Sequence, residues 1–273
     1  MRFSQVDVFT AELTYGNPVA VVHDADALTD EQMAAFARWT NLSETTFLLR
    51  PVDPAADYRL RIFTTRGELP FAGHPTLGSA RAWLDAGGSP RRAGELVQEC
   101  GAGLVRVRAD GARLAFAAPP LRRGGPVDEV DVQEIAASLG IGRHEVIGAR
   151  WGDNGPGWVV LLLRSAEAVL ALEPRGFGTI DKVGVVGPHA PGGPADVEVR
   201  AFFPGSPGED PVTGSLNAAI GQWLIGEGLA TDSYVAAQGT RLGRRGRVHV
   251  DRDGDDIWVG GDTVVGVTGE VAL

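Results

Sequence analysis

The sequence predicts an α+β protein of two similar lobes, with few helices and much antiparallel sheet. Three observations lead to this prediction. Strand-like stretches outnumber stretches of helical periodicity. The pattern of the first half returns after a Pro/Gly-rich linker candidate at 118–131. One motif, a titratable residue followed by proline and then Gly-Ser, occurs once in each half, as HPTLGS (74–79) and DPVTGS (210–215). We therefore expect two domains, residues 1–120 and residues 121–273.

The first half begins with strands and a well-marked helix. LTDEQMAAFARWT (28–40) predicts a helix because Thr29 is a suitable N-cap, acidic residues occupy the first turn and apolar residues recur at helical spacing. A second helix is expected at 76–88, where a glycine pair would end it. The predicted strands lie at 3–9, 19–23, 45–50 and 57–64.

A hairpin and the second half follow. LVRVRADGARLAFAAP (104–119) predicts a hairpin in which Asp110 and Gly111 form a type I′ turn. After the linker, helices are expected at 132–140 and at 211–228, and the second of these would begin at Pro211, which suits a first helical turn. The remaining strand predictions are 158–163, 196–203, a hairpin at 247–261 and a final strand at 263–273.

Composition excludes several classes of function. A net charge of −10 argues against binding to nucleic acid or to an anionic membrane surface. No apolar run approaches the roughly 20 residues that span a bilayer. The N-terminus lacks the zones of a signal peptide, and a single cysteine, Cys100, fits a reducing compartment, so we expect a cytoplasmic protein.

Several known catalytic and nucleotide-binding motifs are also missing from the sequence. The sequence has no G-x-S-x-G elbow, no P-loop and no dinucleotide fingerprint placed between a strand and a helix. Its histidines show no H-E-x-x-H or H-x-H spacing, which argues against a metal hydrolase. These histidines are His23, His74, His144, His189 and His249.

The paired motif suggests proton transfer. A helix N-terminus presents N–H groups and a partial positive charge, which favour a carboxylate or an enolate-like intermediate. His74 and Asp210 would stand beside two such helix starts, and an acid and a base on opposite sides of a small molecule suit a proton shuttle. Structural alternatives stay open: Asp210 would serve equally well as an N-cap, and His74 as a structural residue.

Glu44 is the third candidate for catalysis. It lies in TNLSETTFLL (40–49), between a helix end and an apolar strand, beside Ser43. A carboxyl group at the mouth of a strand could act as general acid and base. The alternative is an exposed loop glutamate without a role in catalysis.

Motifs along essentially the whole chain are similar to those of the phenazine-biosynthesis PhzF family. They occur in the family's order, and they are VDVFTAELTYGNPVAVV, NLSETTFLL, ELPFAGHPTLGSA, EDPVTGSLNAA, QGTRLGRRGRVHV and VGGDTVVGVTGEV. The resemblance implies a diaminopimelate epimerase-like fold, in which each lobe is a rolled, mainly antiparallel sheet around a central helix and the active site lies in the cleft. The first lobe would take back the C-terminal strand, 263–273. Because only Cys100 is present, the two-thiol chemistry of that epimerase is excluded.

The resemblance also implies roles for particular residues. Glu44 would be the main proton shuttle, and His74 and Asp210 would orient and polarise the substrate. Gly73, Gly214 and Ser215 would bind the substrate carboxylate through N–H and hydroxyl groups. Ser43 is the fourth predicted substrate-binding residue. No metal or organic cofactor is implied, and family members are often homodimers.

The family's best-known member isomerises trans-2,3-dihydro-3-hydroxyanthranilate. The sequence therefore predicts a cofactor-independent isomerase of secondary metabolism, acting on a small cyclic or amino-acid-like carboxylate. A non-catalytic member that binds a small molecule or a protein is the alternative. Retention of Glu44, His74 and Asp210 favours the enzyme.

Overall fold

The computed structural model describes residues 1–176, 180, 182–203 and 208–273. The chain divides into two compact units, residues 1–117 with 260–273, and residues 118–259. Its longer helices are α1 (Asp30–Thr40), α2 (Gly73–Asp85), α3 (Glu129–Ser138), α4 (Ala166–Leu170) and α5 (Gly214–Gly226).

Strands make up most of the remaining regular structure. They are β1 (Arg2–Val8), β2 (Asn17–Val22), β3 (Thr45–Leu49), β4 (Tyr58–Phe63), β5 (Glu68–Leu69), β6 (Glu95–Cys100), β7 (Gly103–Asp110), β8 (Arg113–Ala117), β9 (Val146–Gly152), β10 (Trp158–Leu163), β11 (Val183–Pro188), β12 (Val197–Phe202), β13 (Glu209–Asp210), β14 (Ser233–Gln238), β15 (Gly246–Asp253) and β16 (Asp256–Glu270).

In the first unit the sheet closes on itself around α2. The strand order is β1-β2-β3-β4-β6-β7-β8-β16, and β16 pairs in turn with β1. Helix α2 contacts β1, β2, β3, β4 and β8. Most of its side chains are buried, including Leu77 and Ala80. The approach is close at Gly78, where an added Cβ would stand 2.3 Å from a methyl carbon of Val19.

In the second unit the sheet follows the order β9-β10-β11-β12-β14-β15, and the start of β16 lies next to β15. Strand alternation places Val159 and Leu161 in a cluster with residues of α3 and α4. The other face carries α5, where an added Cβ on Gly184 would meet Leu216 at 2.1 Å. Helix α5 is therefore buried against one face and the α3–α4 core against the other.

The prediction for α1 is confirmed in detail. Thr29 is its N-cap and accepts a hydrogen bond from the backbone N–H of Gln32, whose side chain accepts from the backbone of Thr29 in return. The end of α2 is also a glycine pair: Gly87, with φ of 96°, donates to Leu84, and Gly88 donates to the carbonyl of Trp83.

The starts of α2 and α5 were predicted wrongly. Helix α2 begins at Gly73, three residues before the predicted start, so Pro75 lies in its first turn, where no helical hydrogen bond needs an N–H. Helix α5 begins at Gly214, three residues after Pro211, because Asp210 and its neighbour Glu209 pair with β12 instead.

Two strand predictions are corrected as well. Asp110 pairs with Arg113, so the hairpin turn consists of Gly111 and Ala112. Gly111 has φ of 59° and Ala112 does not have a positive φ, a combination typical of a type II′ turn. The final hairpin strand and the strand predicted at 263–273 are a single long strand, β16.

A glycine pair on α5 tests how tightly this helix packs. An added Cβ on Gly221 would lie 2.6 Å from a methyl carbon of Val250, whereas one on Gly226 would meet nothing within 4 Å. We expect Gly221→Ala to lower the free energy of unfolding by about 1–3 kcal/mol through overpacking. Gly226→Ala should leave it unchanged or raise it by up to about 1 kcal/mol. Urea unfolding curves give both values, and equal stability of the two variants would contradict the packing described.

Candidate functional site

The first turns of α2 and α5 offer backbone N–H groups that the helices themselves do not use. In α2 the first intrahelical bond runs from Thr76 to the carbonyl of Ala72, and in α5 from Asn217 to that of Thr213. Neither N-cap residue, Ala72 or Thr213, makes a side-chain cap. Because each helix is 13 residues long, its start carries a partial positive charge suited to an anion.

Glu44 and His74 form a largely buried pair in the first unit. Glu44 directly precedes β3, and His74 is the second residue of α2. Their Oε2 and Nε2 atoms are 3.4 Å apart, with side chains 15% and 6% exposed respectively. Glu44 is therefore not an exposed residue, and its role in catalysis stays a prediction. A carboxyl group held in this way can exchange a proton with a bound molecule.

The imidazole of His74 is held neutral. Burial lowers the pKa of His74 to about 3, an effect that a hydrogen bond to the backbone of Pro18 partly opposes. The side-chain nitrogen of Asn17, itself buried, lies 3.4 Å from Nδ1. A neutral imidazole has one donor and one acceptor nitrogen, so this ring can pass a proton without first becoming charged.

Buried polar side chains fix the first turns of α2 against the surrounding strands. Gln98 donates to the hydroxyl of Thr76 over 3.0 Å and accepts from Tyr58 over 3.3 Å. The hydroxyls of Thr46 and Ser79 are 2.8 Å apart. Sequence reasoning missed this network, because each residue occupies a position that fits an ordinary strand or helix.

In the second unit, Asp210 ends β13, four residues before α5 begins. Its Oδ2 accepts from the hydroxyl of Thr213 over 2.5 Å. Gln238 donates to the carbonyl of Asp210 and to the Thr213 hydroxyl, and its own oxygen accepts from the Thr213 N–H and from Asn217. The N-cap of α5 is Thr213, so Asp210 does not occupy the capping position considered from the sequence.

A buried ion pair anchors the strand that carries Asp210. Two guanidinium nitrogens of Arg200 donate to the two carboxylate oxygens of Glu209 over 2.9 and 2.8 Å. The third nitrogen donates to the carbonyls of Val169 and Leu172 around the end of α4. Because Asp210 directly follows Glu209, this ion pair also restricts the position of Asp210.

Ser215 is the second residue of α5 and is held from two sides. Its Oγ accepts from the indole nitrogen of Trp158 over 3.0 Å, and its carbonyl accepts from the side chain of Asn154 over 2.8 Å. Gly214, beside it, opens the helix and is buried. The predicted carboxylate-binding residues Gly214 and Ser215 therefore do lie at a helix start, as does Gly73 in α2.

The two sequence motifs are not equivalent in the fold. His74 lies inside the first turn of α2, whereas Asp210 lies four residues before α5. Aligned by their helix starts, Gly73-His74 corresponds to Gly214-Ser215. Ser43 is exposed on the segment before β3. Cys100 is half-buried at the end of β6, and its Sγ lies 3.5 Å from the carbonyl oxygen of Gly103.

Other kinds of site find little support in the part of the chain that the structure describes. No group of three or more His, Cys, Asp or Glu is arranged to hold a metal ion among these residues. None of the described helices is long and apolar enough to cross a membrane. An apolar groove of about 670 Å³ runs between α1 and the C-terminal residues, next to Trp39, but contains no candidate catalytic residue.

The comparisons with a family model and with individual proteins agree with one another. The family model described as phenazine biosynthesis-like protein (PhzC-PhzF) matches residues 6–272. Antisense-enhancing sequence 1 of Schizosaccharomyces pombe is 37% identical over 98% of this chain and 97% of its own. An uncharacterised isomerase of Mesorhizobium japonicum is 36% identical over 90% and 88%. The trans-2,3-dihydro-3-hydroxyanthranilate isomerase of Pseudomonas aeruginosa is 39% identical over 63% and 61%.

Solved structures confirm the predicted α+β fold class. A PhzF-family protein of Enterococcus faecalis is 25% identical, and its structure matches with a TM-score of 0.82 over 100% of this chain and 99% of its own. A hydroxyproline epimerase from Agrobacterium vitis shares the fold at 15% identity, with a TM-score of 0.60 over 100% and 92%.

The burial of His74 predicts a pH dependence of stability. Since the pKa of His74 is lowered to about 3 from 6.5 in the unfolded chain, the unfolded state binds the extra proton between these values. Stability should be full above pH 6.5 and fall as the pH drops toward 3, by up to about 1.4 kcal/mol per pH unit for this group. His74→Gln should flatten this slope, measured by urea unfolding across the range, and His144→Gln, at an exposed position, should not. Identical slopes in the two variants would show that His74 does not cause the dependence.

Proposed function

The chain belongs to the phenazine biosynthesis-like (PhzC-PhzF) family, and on that premise we propose that it is an isomerase that moves a proton within a small cyclic or amino-acid-like carboxylate. Curated relatives of two bacteria are named isomerases. The compound named for the Pseudomonas aeruginosa relative, trans-2,3-dihydro-3-hydroxyanthranilate, is the first substrate to test. It carries a carboxylate, an amine and a hydroxyl on one ring.

The contact between Glu44 and His74 is the observation that carries this proposal. In the proposed reaction the Glu44 carboxylate takes a proton from a ring carbon, and the electrons of the broken C–H bond enter the conjugated system. The same carboxyl group then returns the proton to another carbon, where a new C–H bond forms. Proton and electrons balance within the substrate, so the reaction needs neither an oxidant nor a cofactor.

His74 assists the shuttle in this proposal. Its neutral ring, 3.4 Å from the carboxyl group, can hold the protonated and the ionised forms of Glu44 in one orientation by acting as acceptor or as donor. Buried on almost every side, it adds no charge that would trap the proton. The imidazole would therefore keep the carboxyl group aimed while its proton leaves and returns.

The start of α5 supplies the proposed carboxylate site. The N–H groups at Gly214 and Ser215, together with the Ser215 hydroxyl, are donors at the positive end of a helix. Gly73, the first residue of α2, stays a predicted substrate-binding residue of the first unit. Asp210 would accept a hydrogen bond from the amine or hydroxyl of the substrate, with one of its oxygens already engaged by Thr213.

The name of the Schizosaccharomyces pombe relative, Antisense-enhancing sequence 1, names no reaction. This leaves a second candidate, a non-catalytic binding protein of the same fold. The two candidates differ in one measurable property, because a protein that only binds does not exchange substrate hydrogen with solvent.

Replacing the shuttle residue should abolish turnover without unfolding the protein. We expect Glu44→Gln to lower kcat by at least about a hundredfold, since the amide cannot take a proton from carbon. Glu31→Gln, an exposed residue of α1, is the matched control and should keep normal activity. Melting temperatures of both variants verify the fold. Activity of Glu44→Gln near that of the control would remove Glu44 from the mechanism.

Deuterated water tests the reaction itself. The protein is incubated with trans-2,3-dihydro-3-hydroxyanthranilate in D₂O, and the product is followed by NMR. We expect deuterium at one defined carbon of the product. A folded protein that leaves this compound unchanged, but exchanges deuterium into other cyclic amino acids, would keep the shuttle and exclude this substrate. Exchange into none of them would favour the binding protein.

A further inference from the structure

We propose that Trp158 is a positioning residue that fixes the Ser215 hydroxyl as a hydrogen-bond donor to the substrate carboxylate. The inference deepens the proposed function and rests on it for the identity of the substrate. Trp158 opens β10 with only 4% of its surface exposed. Its indole nitrogen lies 3.0 Å from Oγ of Ser215.

The chemistry of the two groups decides the direction of the hydroxyl. An indole N–H can donate a hydrogen bond but cannot accept one, whereas a serine hydroxyl has one hydrogen to donate and can also accept. Trp158 therefore occupies an acceptor position of Oγ. The hydroxyl hydrogen of Ser215 must point elsewhere, and it finds no acceptor among the described residues.

The backbone around Ser215 is fixed too. The side chain of Asn154 donates to the Ser215 carbonyl over 2.8 Å. Rotation of the Ser215 side chain about Cα–Cβ would break the hydrogen bond that the buried Trp158 donates to Oγ. Its Oγ–H stays beside the N–H groups that open α5, and donors placed together in this way match the oxygens of one carboxylate.

Without the Trp158 indole N–H, the Ser215 hydroxyl would not be held in one orientation. If the indole N–H is removed, Oγ can accept from water and its hydrogen can rotate, so that part of the binding energy is used to restore the donor orientation. Loss of a single neutral hydrogen bond of this kind weakens binding by roughly threefold to tenfold. The effect falls on binding of the carboxylate, so KM should rise more than kcat falls.

The test uses anthranilate as the probe and anthranilamide as its uncharged counterpart, with calorimetric titration of the full chain. Wild type should bind anthranilate more tightly than anthranilamide. Trp158→Phe keeps an aromatic ring and should raise the Kd for anthranilate about threefold to tenfold, with little change for the amide. Trp223→Phe, the same substitution near the other end of α5, should change neither value.

A double variant tests whether Trp158 acts through Ser215. Ser215→Ala should weaken anthranilate binding at least as much as Trp158→Phe, and the double variant should bind as Ser215→Ala does, because the indole acts only through the hydroxyl. Effects that add in the double variant, unchanged affinity in Trp158→Phe, or a wild type that does not prefer anthranilate would each overturn the inference.

A second measurement does not depend on the folding of Trp158→Phe. In ¹⁵N-labelled protein, an indole N–H resonance that shifts in Ser215→Ala should also shift when anthranilate binds to the wild type. Absence of such a shared resonance would also overturn the inference. Anthranilate binding with this pattern, in a protein that shuttles no proton, would retain the role of Trp158 and reject the proposed isomerase.

Discussion

The backbone N–H groups in the first turns of α2 and α5 need hydrogen-bond partners from outside the helix, and this requirement constrains the structure of each unit. A helix can be buried along its length because its interior backbone is fully hydrogen-bonded, but its first turn needs partners from outside the helix. In each unit, strands pack closely against the helix flank, at Gly78 in α2 and at Gly221 in α5. The N-cap residues make no side-chain cap. The donors that each helix does not use itself are therefore at the helix start, where an anion could accept from them.

Burial has opposite effects on stability and on chemistry at His74. A histidine kept neutral by desolvation loses the hydration of its charged form, and the folded state is penalised whenever the solution would protonate it. The same desolvation keeps the ring neutral at ordinary pH, so it can accept or donate beside the carboxyl group of Glu44. A protein with this histidine on its surface would lose less stability in acid, and the histidine would titrate near neutral pH. Burial thus lowers the stability of the folded protein in acid, and it keeps the imidazole of His74 in one protonation state.

The sequence was most informative where local chemistry sets the structure. The capping box at Thr29 and the glycine pair after α2 depend on neighbouring residues, and both were predicted. The equal spacing in HPTLGS and DPVTGS was misleading, because proline fits inside the first turn of one helix and before the start of the other. The roles of Gln98 and Trp158 could not be predicted in this way. Both residues lie in strands, and the sequence of a strand does not show which polar group of another element a side chain contacts.

The buried pair of Arg200 and Glu209 shows how such hidden residues support the site. Removing two charges from water is costly, and a well-packed hydrophobic pair of the same volume is often as stable or more so. Stability alone therefore does not account for the pair. Its geometry does something that apolar packing would not: two parallel hydrogen bonds fix Glu209 in direction as well as in distance. The two-residue strand β13 has little pairing of its own, so Asp210 takes its position from this ion pair on one side and from Gln238 on the other.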